Sequence, residues 1–216
     1  MKHLSRRHSI DPPVIRAGVV FVQGAAPEHV AALRHALHAL DLPGETVMVR
    51  RREDLEGLDC LIIPGGESTT ISKLITRFRI REGIMDMAQD EVPILGTCAG
   101  CVLLAKEGDN QVDKTGTELL GLMDMAVDRN AFGRQVDSFE AEVAVDGLDP
   151  RFHAVFIRAP VITRVWGECR PMSTYCGRIT MARQRNLFAS SFHPELSHDL
   201  RLHQMLLQMA AGRITA

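Results

Sequence analysis

Four short apolar runs, residues 14–22, 46–49, 60–63 and 92–95, alternate with amphipathic stretches through the first hundred residues, and this alternation restricts the fold most. The first run is valine-rich and lies between Pro13 and Gly24; the third stops at Pro64-Gly65-Gly66. Residues 28–40 place Val30, Leu33, Leu37 and Leu40 on one face of a helix. Ser68 or Thr69 is expected to cap the next helix, whose apolar stripe is Ile71, Leu74, Ile75 and Phe78. Residues 101–105 suit the start of another. Strand and helix in turn predict a parallel sheet with helices on both faces.

The second half reads differently. Residues 141–145, 155–157, 179–182 and 187–191 look like strands with shorter connections, part of them antiparallel or in an appended sheet. Residues 197–210 close the chain as a helix with Leu202, Met205, Leu206 and Met209 inward. No repeat or linker interrupts the chain, so the expectation is a three-layer α/β fold. It has a mostly parallel central sheet and some antiparallel strands in the second half, as one domain over residues 14–216.

Composition narrows the function. With 45% hydrophobic and 24% charged residues, the chain has enough apolar surface to fold. A net charge of −2 speaks against a nucleic-acid partner. No apolar run nears the roughly 18 residues of a membrane span. Five cysteines, an odd number, are not a disulfide framework and point to a reducing cytoplasm. Residues 1–13 carry Lys2, Arg6, Arg7 and Pro12-Pro13 without an apolar export core, and read as a mobile tail or, less readily, a transit peptide. Cys169 and Cys176 lack the paired spacing of a zinc site, and neither a metal nor a cofactor is expected.

The sharpest local feature is Gly96-Thr97-Cys98-Ala99-Gly100, between a strand and a helix start. Glycines on both sides permit a tight elbow that lifts a nucleophile clear of the sheet. There a sulfur sits at a helix N-terminus, which favours thiolate, and the amide of Ala99 can meet an oxyanion. The alternative is a small buried apolar cysteine. Of nine histidines, His3 and His8 lie in the tail, and His29, His35, His38, His198, His203 and His153 have solvated or capping readings. His193 differs, because Ser191-Phe192-His193-Pro194-Glu195 follows an apolar strand. In extended backbone Glu195 points the same way as His193 and can orient it. Pro64-Gly65-Gly66-Glu67-Ser68 leaves amides free for close approach, and the amide of Gly66 can pair with that of Ala99. No Gly-Lys-Ser/Thr follows, which speaks against a nucleotide loop.

Together these segments resemble the class I, triad-type glutamine amidotransferases, whose fold is flavodoxin-like. Gln23-Gly24-Ala25, Gly65-Gly66-Glu67-Ser68-Thr69-Thr70, residues 129–140 (Arg129-Asn130-Ala131-Phe132-Gly133-Arg134-Gln135 onward) and Phe156-Ile157-Arg158-Ala159-Pro160 extend the likeness, from about Ile15 to Gly212. They resemble the family of glutaminase subunits of pyridoxal 5′-phosphate synthase. The resemblance implies hydrolysis of L-glutamine through a cysteinyl thioester, with Cys98 as nucleophile, His193 as base and Glu195 as its orienting acid. It implies an oxyanion hole from Gly66 and Ala99 and a glutamine site lined by Gly66, Glu67, Ser68, Arg129, Ile157 and Arg158. It also implies delivery of ammonia to a barrel-fold synthase subunit that docks near Gln23 in a hetero-oligomer. Cys101 departs from the family's aliphatic residue and creates Cys98-Ala99-Gly100-Cys101, the basis of a rival reading as a thiol redox protein and of possible redox control. The glutaminase subunit of another class I amidotransferase is the other alternative.

Overall fold

The computed structural model describes residues 14–129 and 138–215. The proposed tail, residues 1–13, and the segment 130–137 lie outside the described residues. In chain order the elements are β1 (Ile15–Val20), α1 (Ala26–Ala39), β2 (Gly44–Val49), β3 (Cys60–Ile63), α2 (Ser68–Arg77), α3 (Ile80–Gln89), β4 (Ile94–Thr97), α4 (Ala99–Leu104), β5 (Ala105–Glu107), α5 (Asn110–Thr115), β6 (Met123–Asp128), β7 (Ser138–Val145), β8 (Leu148–Ile157), β9 (Val161–Val165), β10 (Arg170–Tyr175), β11 (Arg178–Gln184), β12 (Leu187–Ser190) and α6 (Arg201–Thr215).

The strands join in one sheet. Its parallel half runs β2-β1-β3-β4-β12. From β12 the order continues antiparallel through β11, β10, β7 and β8, while β5, β6 and β9 form a side branch that returns to β11. The α/β architecture is as expected, and the antiparallel extension is larger than the sequence suggested.

The inner parallel strands, β1, β3, β4 and β12, are buried on both faces, while the edge strand β2 is largely exposed, and the alternation of the inner strands sorts side chains into two cores. Leu61, Ile63, Ile94, Leu187 and Ala189 pack with Ile71, Ile75, Ile80 and Ile84 of α2 and α3. Ala17, Val19, Cys60, Ile62, Leu95 and Phe188 pack on the other face with Val30, Leu33 and Leu37 of α1 and Leu202, Leu206 and Leu207 of α6. Each fully buried residue of this kind, Leu33 or Ile71 for example, contributes about 1.5–3 kcal/mol.

Several details differ from the sequence reading. The N-cap of α2 is Glu67, whose carboxylate accepts from the backbone N–H groups of Thr69 at 3.1 Å and Thr70 at 2.6 Å; Ser68 and Thr69 are the first helical residues. Phe78 is 42% exposed because α2 ends at Arg77, just before that side chain would turn inward. The inner face of α6 is Leu202, His203, Leu206, Leu207 and Ala210, rotated from the predicted stripe, with Met205 and Met209 at its margin. His29 and His203 are fully buried, not solvated, and His153 lies on β8 between Glu140 and Glu142. Among the described residues no helix is long and apolar enough to cross a membrane, and no cluster of His, Cys, Asp and Glu is placed to hold a metal ion.

Candidate active site

Four strands of the parallel half, β1, β3, β4 and β12, deliver their C-terminal loops to one edge, where open α/β sheets collect their ligands. The loop after β1 carries Gln23, that after β3 carries Gly65 to Ser68, the turn after β4 is Cys98, and the segment after β12 carries His193 and Glu195. They surround a cleft of about 350 Å³ lined by Gln23, Gly66, Glu67, Ser68, Cys98, Ala99, Val102, Arg129, Ile157, Arg158, Pro160 and His193. Every site residue expected from the sequence lies on this cleft except Glu195, which stands behind His193. Val102 and Pro160 are added to it.

Cys98 occupies a strained turn, φ +48° and ψ −102°, between β4 and α4. A non-glycine residue there costs about 1–3 kcal/mol, so the surroundings must hold it. Its N–H donates to Ser190 O at 2.8 Å. Gly100 makes the elbow possible: a Cβ there would overlap the carbonyl of Ile63. Gly65 is equally constrained, since a Cβ would strike the His193 ring and lie 3.2 Å from Cys98 Cβ. Sulfur, imidazole and glycine loop are thus packed on one another.

His193 is held from both sides. Its backbone N–H donates to Val155 O of β8 at 2.8 Å, and its Nδ1 meets Glu195 Oε1 at 2.7 Å. Phe192 next to it packs against Phe152 and Phe156 of the same strand. The antiparallel extension therefore anchors the base. Glu195 sits in a 3-10 turn, Pro194–Leu196, and not in the extended backbone the sequence reading assumed. The turn achieves the same pairing. Burial lowers the pKa of His193, but hydrogen bonding and charge from Cys98 and Glu195 outweigh it and push the group up to about 10. Cys98 and His193 line the same cleft, so the imidazole can take the thiol proton as the sulfur attacks a carbonyl carbon.

Arg129 is not a surface ion pair. Its guanidinium NH1 donates to Ser68 Oγ at 3.0 Å and to Thr69 and Thr117 Oγ1 at 3.3 Å, and no carboxylate pairs with it among the described residues. Hydroxyls orient the cation without neutralising it. Arg158, with φ +43°, is exposed at the rim where β8 ends. Gln23 Oε1 accepts from Glu67 N–H at 2.9 Å and lies over Gly66, so it is tied to the glycine loop. Cys101 is fully buried on α4, and burial pushes its thiol far above the ordinary value.

Sequence reasoning missed the hydroxyl cradle of Thr69 and Thr117. It also missed His29 and His203, although each falls at helical spacing on an otherwise apolar face: His29 with Leu33 and Leu37, His203 with Leu206 and Leu207.

A parallel α/β sheet with a cysteine elbow, a His-Pro-Glu segment and a glycine loop meeting at one edge defines a class I glutamine amidotransferase. A family model described as the SNO glutamine amidotransferase family matches residues 19–211. The pyridoxal 5′-phosphate synthase subunit PdxT of Methanosarcina barkeri is 50% identical over 193 residues, 89% of this chain and 96% of that protein. The PdxT subunit of Archaeoglobus fulgidus is 48% identical over 195 residues, 90% of this chain and 98% of that protein. A crystal structure of a glutamine amidotransferase superposes with a TM-score of 0.79 at 42% identity, covering 90% of this chain and 98% of that one. The chain belongs to the SNO glutamine amidotransferase family.

Proposed function

We propose that this chain is the glutaminase subunit of a pyridoxal 5′-phosphate synthase, hydrolysing L-glutamine and passing the ammonia to a barrel-fold synthase subunit within a hetero-oligomer. The observation that carries the reading is Cys98 and His193 facing one cleft with Glu195 behind, in a cleft also lined by an arginine that hydroxyls hold and that pairs with no carboxylate among the described residues. The five cysteines, all unpaired, accord with a reducing, cytoplasmic setting.

In this reading Arg129 and Arg158 take the substrate α-carboxylate and Ile157 flanks its chain, as the family pattern implies. Cys98 attacks the side-chain amide carbon. The oxygen gains charge against the N–H groups of Ala99 and Gly66. His193 gives its proton to the departing nitrogen, ammonia leaves, and a glutamyl thioester remains on Cys98. A water that loses its proton to His193 then releases glutamate and returns the thiol. Glu67 borders the site while its carboxylate caps α2. The redox rival has no use for the His193–Glu195 pair or for the glycine loop that borders the cleft.

Two experiments bear on this. Ammonia release from L-glutamine, measured with and without the synthase subunit, is expected to rise on addition, because a partner seated at Gln23 acts on the loop that carries Gly66; equal rates contradict the docking half of the proposal. Replacing Arg129 by methionine removes a charge-assisted contact of about 1.5–3 kcal/mol, so KM for glutamine rises about 10–100-fold while kcat changes less. An unchanged KM removes Arg129 from the carboxylate site.

A further inference from the structure

Behind Glu195, away from the cleft, His29 of α1, Thr97 at the end of β4 and His203 of α6 are sealed in the core, each 0% exposed. The chemistry above uses none of them. His29 Nε2 is 3.0 Å from Thr97 Oγ1, in a hydrogen bond, and 3.2 Å from Glu195 Oε2. His29 Nδ1 meets His203 Nε2 at 3.1 Å. Glu195 Oε2 is buried and has no hydrogen bond among the described residues, His29 Nε2 being in close contact with it but hydrogen-bonded to Thr97, and His203 Nδ1 has none either. Both imidazoles are neutral at ordinary pH. Burial, then the charges of His203 and His193, depress His29 well below the usual histidine value, and burial lowers His203 to about 4.

A neutral imidazole carries one N–H, and two tautomer sets satisfy the contact between the rings. If His29 is protonated at Nδ1, its bare Nε2 faces the lone pairs of Glu195 Oε2, and His203 is left with a buried N–H that has no acceptor. If His29 is protonated at Nε2, that N–H points toward Thr97 Oγ1 with Glu195 Oε2 beside it, and His203 donates from Nε2. Acceptor lone pairs at His203 Nδ1 and Glu195 Oε2 then stay unmatched, but no donor does. Orphaned buried donors are rarer than orphaned acceptors, so the second set prevails.

We propose that His29, as its Nε2–H tautomer, is a positioning residue for glutamine hydrolysis: held by Thr97, its Nε2–H edge packs against the outer carboxylate oxygen of Glu195 and keeps it in place, and His203 locks the tautomer that allows this. The inference rests on the glutaminase reading of the site. Without a group at that oxygen the carboxylate can rotate, and His193 tilts away from Cys98; small displacements of this kind are expensive in rate.

The test compares wild type, His29→Gln and His29→Asn as full chains with the synthase subunit. Glutamine places an amide nitrogen where Nε2 stands; asparagine places it near Nδ1. His29→Gln is expected to keep kcat within about fivefold, and His29→Asn to lose about 10–100-fold in kcat at unchanged KM. Equal kcat in the two variants, or a loss confined to KM, overturns the proposal. Nitrogen-15 NMR of histidine-labelled wild type decides the matter where the variants do not fold: Nε2 of His29 protonated supports it, and Nδ1 protonated overturns it. A wild type that releases no ammonia is a failure of the glutaminase reading, and the NMR result still judges the arrangement around His29.

Discussion

Replacing Cys98 by alanine is expected to reduce glutamine hydrolysis by a factor on the order of 10⁴–10⁶, leaving only what binding and the amide cradle provide. The proposal routes every bond change at the substrate through the sulfur, and no other thiol can substitute. Cys101 is three residues away but buried, with its thiol pushed far above the ordinary value by that burial. Cys176 is exposed yet lies in the turn between β10 and β11, and it does not line the cleft. The substitution keeps the fold, because alanine meets the same backbone turn as cysteine and the sulfur packs only partly in the interior. Steady-state ammonia release and a thermal melt, measured on the same preparation, check both halves. A variant that keeps a tenth of the wild-type rate contradicts the assignment of the nucleophile.

Glu195→Gln is the second large effect. The carboxylate has two oxygens to offer: Oε1 faces His193 Nδ1 at 2.7 Å and Oε2 faces His29 Nε2 at 3.2 Å. With His29 protonated at Nε2, both neighbours present N–H groups, and an amide has one acceptor for the two of them. Turning the oxygen to His193 sets the amide NH2 against the His29 N–H in a dry site. Turning it to His29 sets the NH2 against His193, which then carries its proton on the nitrogen facing the sulfur and no longer serves as base. Either way kcat falls by about 10²–10⁴ while KM moves little, because Glu195 does not touch the cleft. A variant within tenfold of wild type means that the carboxylate does not set the imidazole.

The sequence carried the catalytic edge well for a physical reason. A parallel strand buried on both faces is a short run of aliphatic residues, and the loop at its end is marked by glycine; residues 60–63 and the elbow at Cys98 are legible on those grounds. What escaped was whatever depended on neighbours distant in sequence. Glu67 replaced Ser68 and Thr69 as the cap of α2 because its longer side chain reaches two amides, and this leaves the Ser68 and Thr69 hydroxyls to hold Arg129. β6 has a period-two pattern, Met123-Asp124-Met125-Ala126-Val127-Asp128, that was readable but brief. β10 contains Pro171, which argues against a strand until its partners are known. α3 was hidden by Gly83, a weak helix former tolerated because a side chain there would strike Leu55. The buried histidines looked solvated, since only α6 packing on α1 brings His203 to His29.

The most direct test of the relay is to follow the sulfur itself. The wild-type chain, turning over L-glutamine with the synthase subunit, is quenched in acid within the first turnovers and its peptides are weighed. A glutamyl mass on the peptide carrying Cys98, appearing with ammonia and absent in Cys98→Ala, is the predicted result. Ammonia released at the wild-type rate with that peptide never acylated, or with the glutamyl group on another residue, contradicts the account.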